Sequence, residues 1–407
     1  MRLLFLGTVC NADEYEKMLE HCSEKCSPAS LYFESAVLRE LSLRGIAADI
    51  ISFPQIPQYR HSGILFWGRK RQRLDCGYDC TWIPTVNIPI PKAMSRGIFS
   101  RRMIRQWMRK NKDEDASVLL YSVCPFLAGY LTRLCRRCGK KCVVIVPDLP
   151  GNMFINHRLG KVKSLFAKAY VRHAEKAQTH FDGYVYLTES MRDKINPNAA
   201  FTVVEGIADT GLFDGIEGEK TDKRAIMYAG RLHENYGVGA LIEAYERVKN
   251  GSTELWLFGS GDMEDRIKAL AEKDGTVRFF GQQPRKTVLS YEKRASILVN
   301  CRDPNDSYVK YSFPSKLIEY MLSGTPVLTT RLAGIPEEYY GYVYSAADNS
   351  AMTLADKLSE LLLSDEKELA DFGQRAGEFI KNNKNAAKQT DKILKLLSGT
   401  ECCDGKI

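Results

Sequence analysis

The chain has 407 residues, room for two or three domains, and its 44% hydrophobic and 27% charged content excludes a disordered or fibrous protein. No apolar run reaches transmembrane length. The net charge of +8 is unevenly spread, but no nucleic-acid-binding motif accompanies the basic clusters, so nucleic acid is not an expected partner.

Met1 to Val9 is apolar but too short for a secretory signal. Leu3–Leu6 therefore reads as a first buried strand ending at Gly7, and a cytoplasmic location is expected. Residues 29–44 have helical periodicity, Gly45 closes that helix, and Ala47–Ile51 reads as the next strand. Residues 55–90 are rich in Pro, Arg and aromatics without a period, and read as an insertion. Between residues 92 and 112, Lys92, Arg96, Arg101, Arg102, Arg105, Arg109, Lys110 and Lys112 occur with no acid among them. They interleave with Ile98, Phe99, Met103, Ile104, Trp107 and Met108. This segment is either a peripheral membrane contact or a solvated helix packing its apolar stripe on the first domain. Strands at 118–121 and 142–146 flank a helix at 126–138. Asp148 follows the second of these strands, at the kind of carboxyl end where open α/β sheets bind ligands. A basic helix at about 160–178, a strand at 183–187 and a short strand at 202–204 complete the first half.

The Gly- and acid-rich segment 206–223 reads as a linker. The expected division is an N-terminal domain over 1–205, a C-terminal domain over 206–398 and a tail over 399–407. A helix at about 380–398 is expected to pack back on the first domain. The second half opens with the strand Ala225–Ala229 and the turn Gly230-Arg231-Leu232. There a glycine admits a ligand to the backbone and a planar guanidinium can grip phosphate oxygens. Gly259-Ser260-Gly261 follows the strand 255–258, and Arg302 follows the strand 297–300. Strands alternating with helices imply doubly wound parallel sheets.

Residues 311–330, YSFPSKLIEYMLSGTPVLTT, carry the most information. Pro314 suits a first helical turn, Leu317, Ile318, Met321 and Leu322 form one apolar face, and Ser315, Lys316 and Glu319 form a polar one. Gly324 is placed for a C-terminal cap, Pro326 ends the helix, and Val327–Thr330 reads as a buried strand. Helix N–H groups and the Lys316 cation suit an anion, while Glu319 can accept hydrogen bonds from vicinal hydroxyls. Together they suggest a nucleotide or sugar phosphate.

This stretch resembles the signature of the group 1 glycosyltransferases (glycosyltransferase family 4), in particular the bacterial surface-polysaccharide branch. The resemblance implies a GT-B fold, two Rossmann-like domains with a nucleotide-sugar in the cleft between them. It implies retaining, metal-independent, hexosyltransferase-type transfer from a UDP- or GDP-sugar to a saccharide or lipid-linked saccharide in surface polysaccharide biosynthesis, with no cofactor. Carried over, the donor site comprises Gly230, Arg231, Gly259, Ser260, Gly261, Arg302, Tyr311, Ser312, Phe313, Ser315, Lys316 and Glu319, with Arg231, Lys316 and Glu319 in catalytic roles. Gly7 and Asp148 fall on the acceptor side.

Two positions depart from the pattern. The family's lysine five residues after the arginine is Tyr236, within Asn235-Tyr236-Gly237, and Lys316 is the natural replacement. The first of its two spaced glutamates is Tyr311, which leaves the backbone around Ser312 and Phe313 and the Ser315 hydroxyl to hold the sugar. These departures keep a sugar-nucleotide epimerase and a catalytically degenerate nucleotide-binding scaffold subunit as alternatives.

The twelve cysteines, including Cys22/Cys26, Cys76/Cys80, Cys135/Cys138/Cys142 and Cys402-Cys403, lack paired zinc spacing and read as free thiols. His157 and His180 read as structural. Asp113-Glu114-Asp115 resembles a metal-binding D-x-D by letters alone, and no metal site is expected.

Overall fold

The computed structural model describes residues 1–20, 22–23, 29–150 and 161–399. Cys26, His157, Cys402 and Cys403 lie outside the described residues. The chain forms two compact units, Met1–Glu205 with Ala386–Ile407, and Gly206–Asn385.

In the first unit the strands are β1 (Arg2–Gly7), β2 (Ala47–Ser52), β3 (Phe66–Trp67), β4 (Arg71–Arg73), β5 (Asp79–Trp82) and β6 (Thr85–Val86). They continue as β7 (Ala116–Tyr121), β8 (Lys141–Val146), β9 (Gly183–Tyr186) and β10 (Ala200–Val203). Eight of them make one sheet in the order β10-β9-β8-β7-β1-β2-β5-β4, parallel except for the β4–β5 pair. Its central strands are unbroken apolar runs, as burial on both faces demands: Leu3–Leu6, Val118–Leu120 and Val143–Ile145 are all inaccessible to solvent. The last helix, Ala386–Ser398, belongs to this unit. It is tied to it by Arg44 paired with Asp391, and by Gln389 donating to Glu205 at 3.2 Å and Lys392 to the Val203 carbonyl at 3.2 Å. The segment read as an insertion without a period holds β3 to β6. Its strands are two to four residues long, too short to show a period of two.

The second unit is a six-stranded parallel sheet built from β11 (Arg224–Arg231), β12 (Thr253–Ser260), β13 (Val277–Gly281), β14 (Ile297–Asn300), β15 (Val327–Thr330) and β16 (Tyr344–Ala346). Their order is β13-β12-β11-β14-β15-β16. Alternation along β11 serves both faces. Met227 and Ala229 pack with Leu317, Met321 and Ile380, whereas Ile226 and Tyr228 pack with Leu241, Tyr245 and Leu358.

The chain winds outward in both directions from the β11–β14 pair, which makes that pair the topological switch point. The two strands stay in register only at Ile226↔Ile297 and Met227↔Leu298. Beyond them Ala229 would lose its ladder partners. The Tyr320 hydroxyl replaces them, accepting from Ala229 N–H at 2.8 Å and donating to the Ala229 carbonyl at 3.1 Å. Tyr320 is 1% exposed, so water cannot substitute for it. Tyr320→Phe is therefore expected to destabilise this unit by about 1–3 kcal/mol, the cost of orphaned buried backbone groups, in urea unfolding of the full chain.

Candidate active site

The carboxyl ends of β11 and β12 approach each other through glycines. Gly230 pairs with Gly259 and Arg231 with Ser260. Gly259 has φ +126°, and a Cβ there would lie 1.7 Å from the Gly230 carbonyl oxygen; a Cβ on Gly261 would lie 2.1 Å from the Leu232 carbonyl oxygen. Only glycine fits at either place, so the turn leaves backbone rather than side chains at the strand ends. Leu232 N–H donates to the Ser260 carbonyl at 2.9 Å, and Gln282 Nε2 donates to Ser260 Oγ at 2.8 Å. Arg231 ends β11 exposed, and no hydrogen bond or ion pair holds its guanidinium among the described residues.

Across the switch point, Arg302 follows β14 with its guanidinium 5.4 Å from the centre of the Tyr236 ring. Neither Asp303 nor Asp306 pairs with it among the described residues; Asp303 instead accepts from Asn305 N–H at 2.9 Å. The tyrosine standing at the family's lysine position thus carries a stacked arginine.

The helix expected from Pro314 runs over Lys316–Leu322, with Leu317 N–H donating to the Pro314 carbonyl at 2.8 Å. Gly324, at φ +76°, closes it. Lys316 is not an isolated cation: it pairs with Glu319 one turn on and with Glu292 at 3.4 Å, while Arg285 reaches Glu319 at 3.3 Å. Glu292 is fully buried and its Oε2 has no partner among the described residues. Burial pushes the Glu292 carboxyl well above the usual carboxylate range, more than the Lys316 charge lowers it. Burial also raises Glu319, but Lys316 and Arg285 outweigh it and hold Glu319 below its ordinary value, ionised. Glu319 is thus a carboxylate flanked by two cations, and Lys316 also reaches the buried Glu292 carboxyl.

Tyr311 ends a short 3-10 turn, Val309–Tyr311, beneath the Lys310 ammonium. Phe313 is a core residue 5% exposed, so only its backbone could serve a ligand; Ser312 is half-buried and Ser315 exposed. Arg285 and Glu292, on the helix Arg285–Arg294, went unmarked in the sequence. The available signal was an acid three residues after Leu289, on the same buried helix face.

In the first unit, Gly7 ends β1 beside the switch point between β1 and β7. A Cβ on Gly7 would lie 2.0 Å from Glu34 Oε2. Glu34 is fully buried and accepts from Thr8 N–H at 2.6 Å and Val9 N–H at 3.2 Å, fastening the loop after β1. Burial raises its carboxyl to about 8, against those hydrogen bonds, which favour the ionised form. A carboxyl raised on folding stabilises most below its unfolded pKa, and that contribution is lost as pH rises from about 4.5 to about 8. Glu34→Gln is expected to flatten the pH dependence of thermal unfolding across that window, as measured by calorimetry. Opposite Gly7, Ser122 after β7 adopts φ +65°, the one non-glycine residue in the left-handed region among those described. Asp148 is exposed, and its Oδ1 accepts from Leu149 N–H at 2.8 Å, a turn-capping contact.

Among the described residues the nine cysteines are free, and no cluster of three or more His, Cys, Asp or Glu could hold a metal ion. Asp113 pairs with Lys112 at 3.6 Å and Glu114 with Arg2 at 3.9 Å.

Two open sheets, parallel but for the β4–β5 pair and each alternating strands with helices, have the architecture of the GT-B fold. Solved structures of that fold match nearly the whole chain. Sucrose-phosphate synthase from Thermosynechococcus elongatus is 13% identical with TM-score 0.64, covering 98% of this chain and 100% of that one. Anabaena HepE in complex with UDP and glucose is 12% identical with TM-score 0.60, again covering 98% and 100%. The family model described as "Glycosyl transferases group 1" matches residues 211–379, within the second unit. The chain is also similar to the amylovoran biosynthesis glycosyltransferase AmsK of Erwinia amylovora, 32% identical over 144 residues, which is 33% of this chain. The matched stretch spans 35% of that relative's length.

Proposed function

We propose that this protein is a retaining, metal-independent glycosyltransferase. It transfers a sugar from a UDP- or GDP-sugar to a saccharide or lipid-linked saccharide in surface polysaccharide biosynthesis. The observation that carries the reading is the switch point of the second unit. Arg231 and Arg302 flank it, side-chain-free backbone lies between β11 and β12, and one ionised carboxylate, Glu319, is held by Lys316 and Arg285.

Each part has a task the donor requires. Arg231 presents a planar fork to the diphosphate, and its charge gains most as the bond to the sugar breaks and the leaving phosphate becomes more negative. Arg302, stiffened on Tyr236, supplies a second cation in place of the absent lysine. Glu319 accepts from the ribose hydroxyls, an acceptor role that needs the ionised state its two cations maintain. Lys316, shared between Glu319 and Glu292, acts by holding Glu319 as much as by charge at the phosphate. The acceptor hydroxyl attacks from the face the diphosphate leaves, and that phosphate takes its proton. Catalysis then rests on positioning and electrostatics. The likeness to a protein solved with UDP and glucose supports a UDP-sugar as the first donor to try.

The test is incubation with a panel of UDP- and GDP-sugars and saccharide acceptors, reading nucleotide release and product anomeric configuration by NMR. Transfer with retained configuration is expected. Exchange of sugar stereochemistry without acceptor would replace this reading with an epimerase, and binding without turnover with a scaffold.

A further inference from the structure

We propose that the first unit carries a membrane-docking face that seats on an anionic lipid surface. It is made by the β3–β6 ribbon and the amino-terminal half of the helix Pro89–Lys110. This does not depend on the donor chemistry of the second unit.

The basic segment 92–112 raised two possibilities, and its helix divides between them. The carboxyl-terminal half packs inward: Ile104, Trp107 and Met108 are buried, and Trp107 Nε1 donates to Asp49 at 2.8 Å. The tryptophan is therefore core. The amino-terminal half does the opposite, leaving Met94 42%, Ile98 54% and Phe99 45% exposed. Beside it the ribbon exposes Leu65 (48%), Phe66 (58%) and Ile88 (42%). These are one surface locally, because Phe66 pairs with Val86, Asn87 N–H donates to the Leu65 carbonyl at 2.8 Å, and Ile88 caps the helix. Asn87 fixes the junction from inside. It is fully buried, and its Nδ2 donates to the Pro57 carbonyl at 2.8 Å and the Ile64 carbonyl at 3.0 Å. Of twelve large hydrophobic side chains exposed among the described residues, seven fall between Tyr59 and Phe99, far more clustered than scattered surface apolars.

Charge selects the occupant. Residues 53–112 contain thirteen Lys and Arg against two Asp, a surplus larger than the +8 of the whole chain. On the helix, Met94 and Ile98 continue at helical spacing into exposed Arg102, Arg105 and Arg109, so apolar and basic side chains share one face. Exposed Arg69 and Arg71 follow the ribbon strand. Apolar side chains ringed by basic ones suit the boundary between acyl chains and anionic headgroups, whereas a second copy of this chain would bring the same positive charge. Among the described residues no helix is long and apolar enough to cross a membrane, so the contact would lie on the surface.

The test is co-sedimentation of the full chain with vesicles of phosphatidylglycerol and phosphatidylcholine, against phosphatidylcholine alone, at low and high salt. Binding is expected only with phosphatidylglycerol, weakening as salt rises. The double variants Ile98→Ser/Phe99→Ser and Arg102→Glu/Arg109→Glu should each lower it by about tenfold or more, with unchanged circular dichroism. Arg231→Ala should sediment like the parent, which separates this face from the donor site. No binding to phosphatidylglycerol vesicles at low salt would overturn the proposal. So would binding indifferent to Ile98→Ser/Phe99→Ser, or a lipid-free dimer that the same substitutions abolish.

Discussion

Arg231→Ala is expected to lower kcat/KM for the donor by about 10²–10³, the loss typical of removing one preorganised charge from a developing anion. The larger part should fall on kcat, because the leaving diphosphate is more negative in the transition state than in the bound donor. The thermal midpoint should not move, since the Arg231 side chain is exposed and its guanidinium makes no hydrogen bond or ion pair among the described residues, while the backbone contacts are kept. Arg231→Lys should recover only part of the loss, because an ammonium keeps the charge but not the planar fork. Steady-state kinetics on the three proteins check this. A loss within about twofold for Arg231→Ala would remove this residue from the transition state.

The largest effect on stability is expected at Gly259. Its φ of +126° is unsuited to any side chain, and an alanine Cβ would meet the Gly230 carbonyl oxygen at 1.7 Å. The obstacle is backbone of a central strand, which cannot turn away as a side chain could. Gly259→Ala should therefore cost more than about 3 kcal/mol, strain and clash together. Gly324→Ala is the natural comparison. It shares a positive φ of +76° but has nothing within 4 Å of the new Cβ, so only the strain remains, about 1 kcal/mol. Calorimetry of the full chain measures both. Equal losses would mean that the approach of β12 to β11 is looser than this geometry.

What was legible in the sequence follows the length of each signal. Strands buried on both faces, such as Leu3–Leu6, and the motif around Glu319 each carry several constrained positions in a row, and both appear where expected. The β3–β6 ribbon was invisible because two-residue strands leave no periodicity, and what fixes them is Asn87, a single buried amide distant in sequence from its partners. The residues of the candidate site were legible singly but not in their pairing. Lys316 read as a phosphate cation, yet it faces Glu292, an acid brought in by a different helix, and shares Glu319 with Arg285. A one-dimensional motif names the residues on one helix and cannot show which charges a neighbouring helix will set against them. The same limit applies to Trp107. Its setting among arginines suggested an interface, while the carboxylate it donates to is Asp49, on β2.

The most direct test of the account is calorimetric titration with UDP, GDP and the parent nucleosides, on the parent chain, Arg231→Ala and Glu319→Ala. The account predicts that a nucleoside diphosphate binds well above its nucleoside. Arg231→Ala should then erase most of that difference while sparing the nucleoside, and Glu319→Ala should weaken both. If neither diphosphate bound, or if Arg231→Ala weakened nucleoside and diphosphate equally, Arg231 would not be gripping phosphate and the central claim would fail.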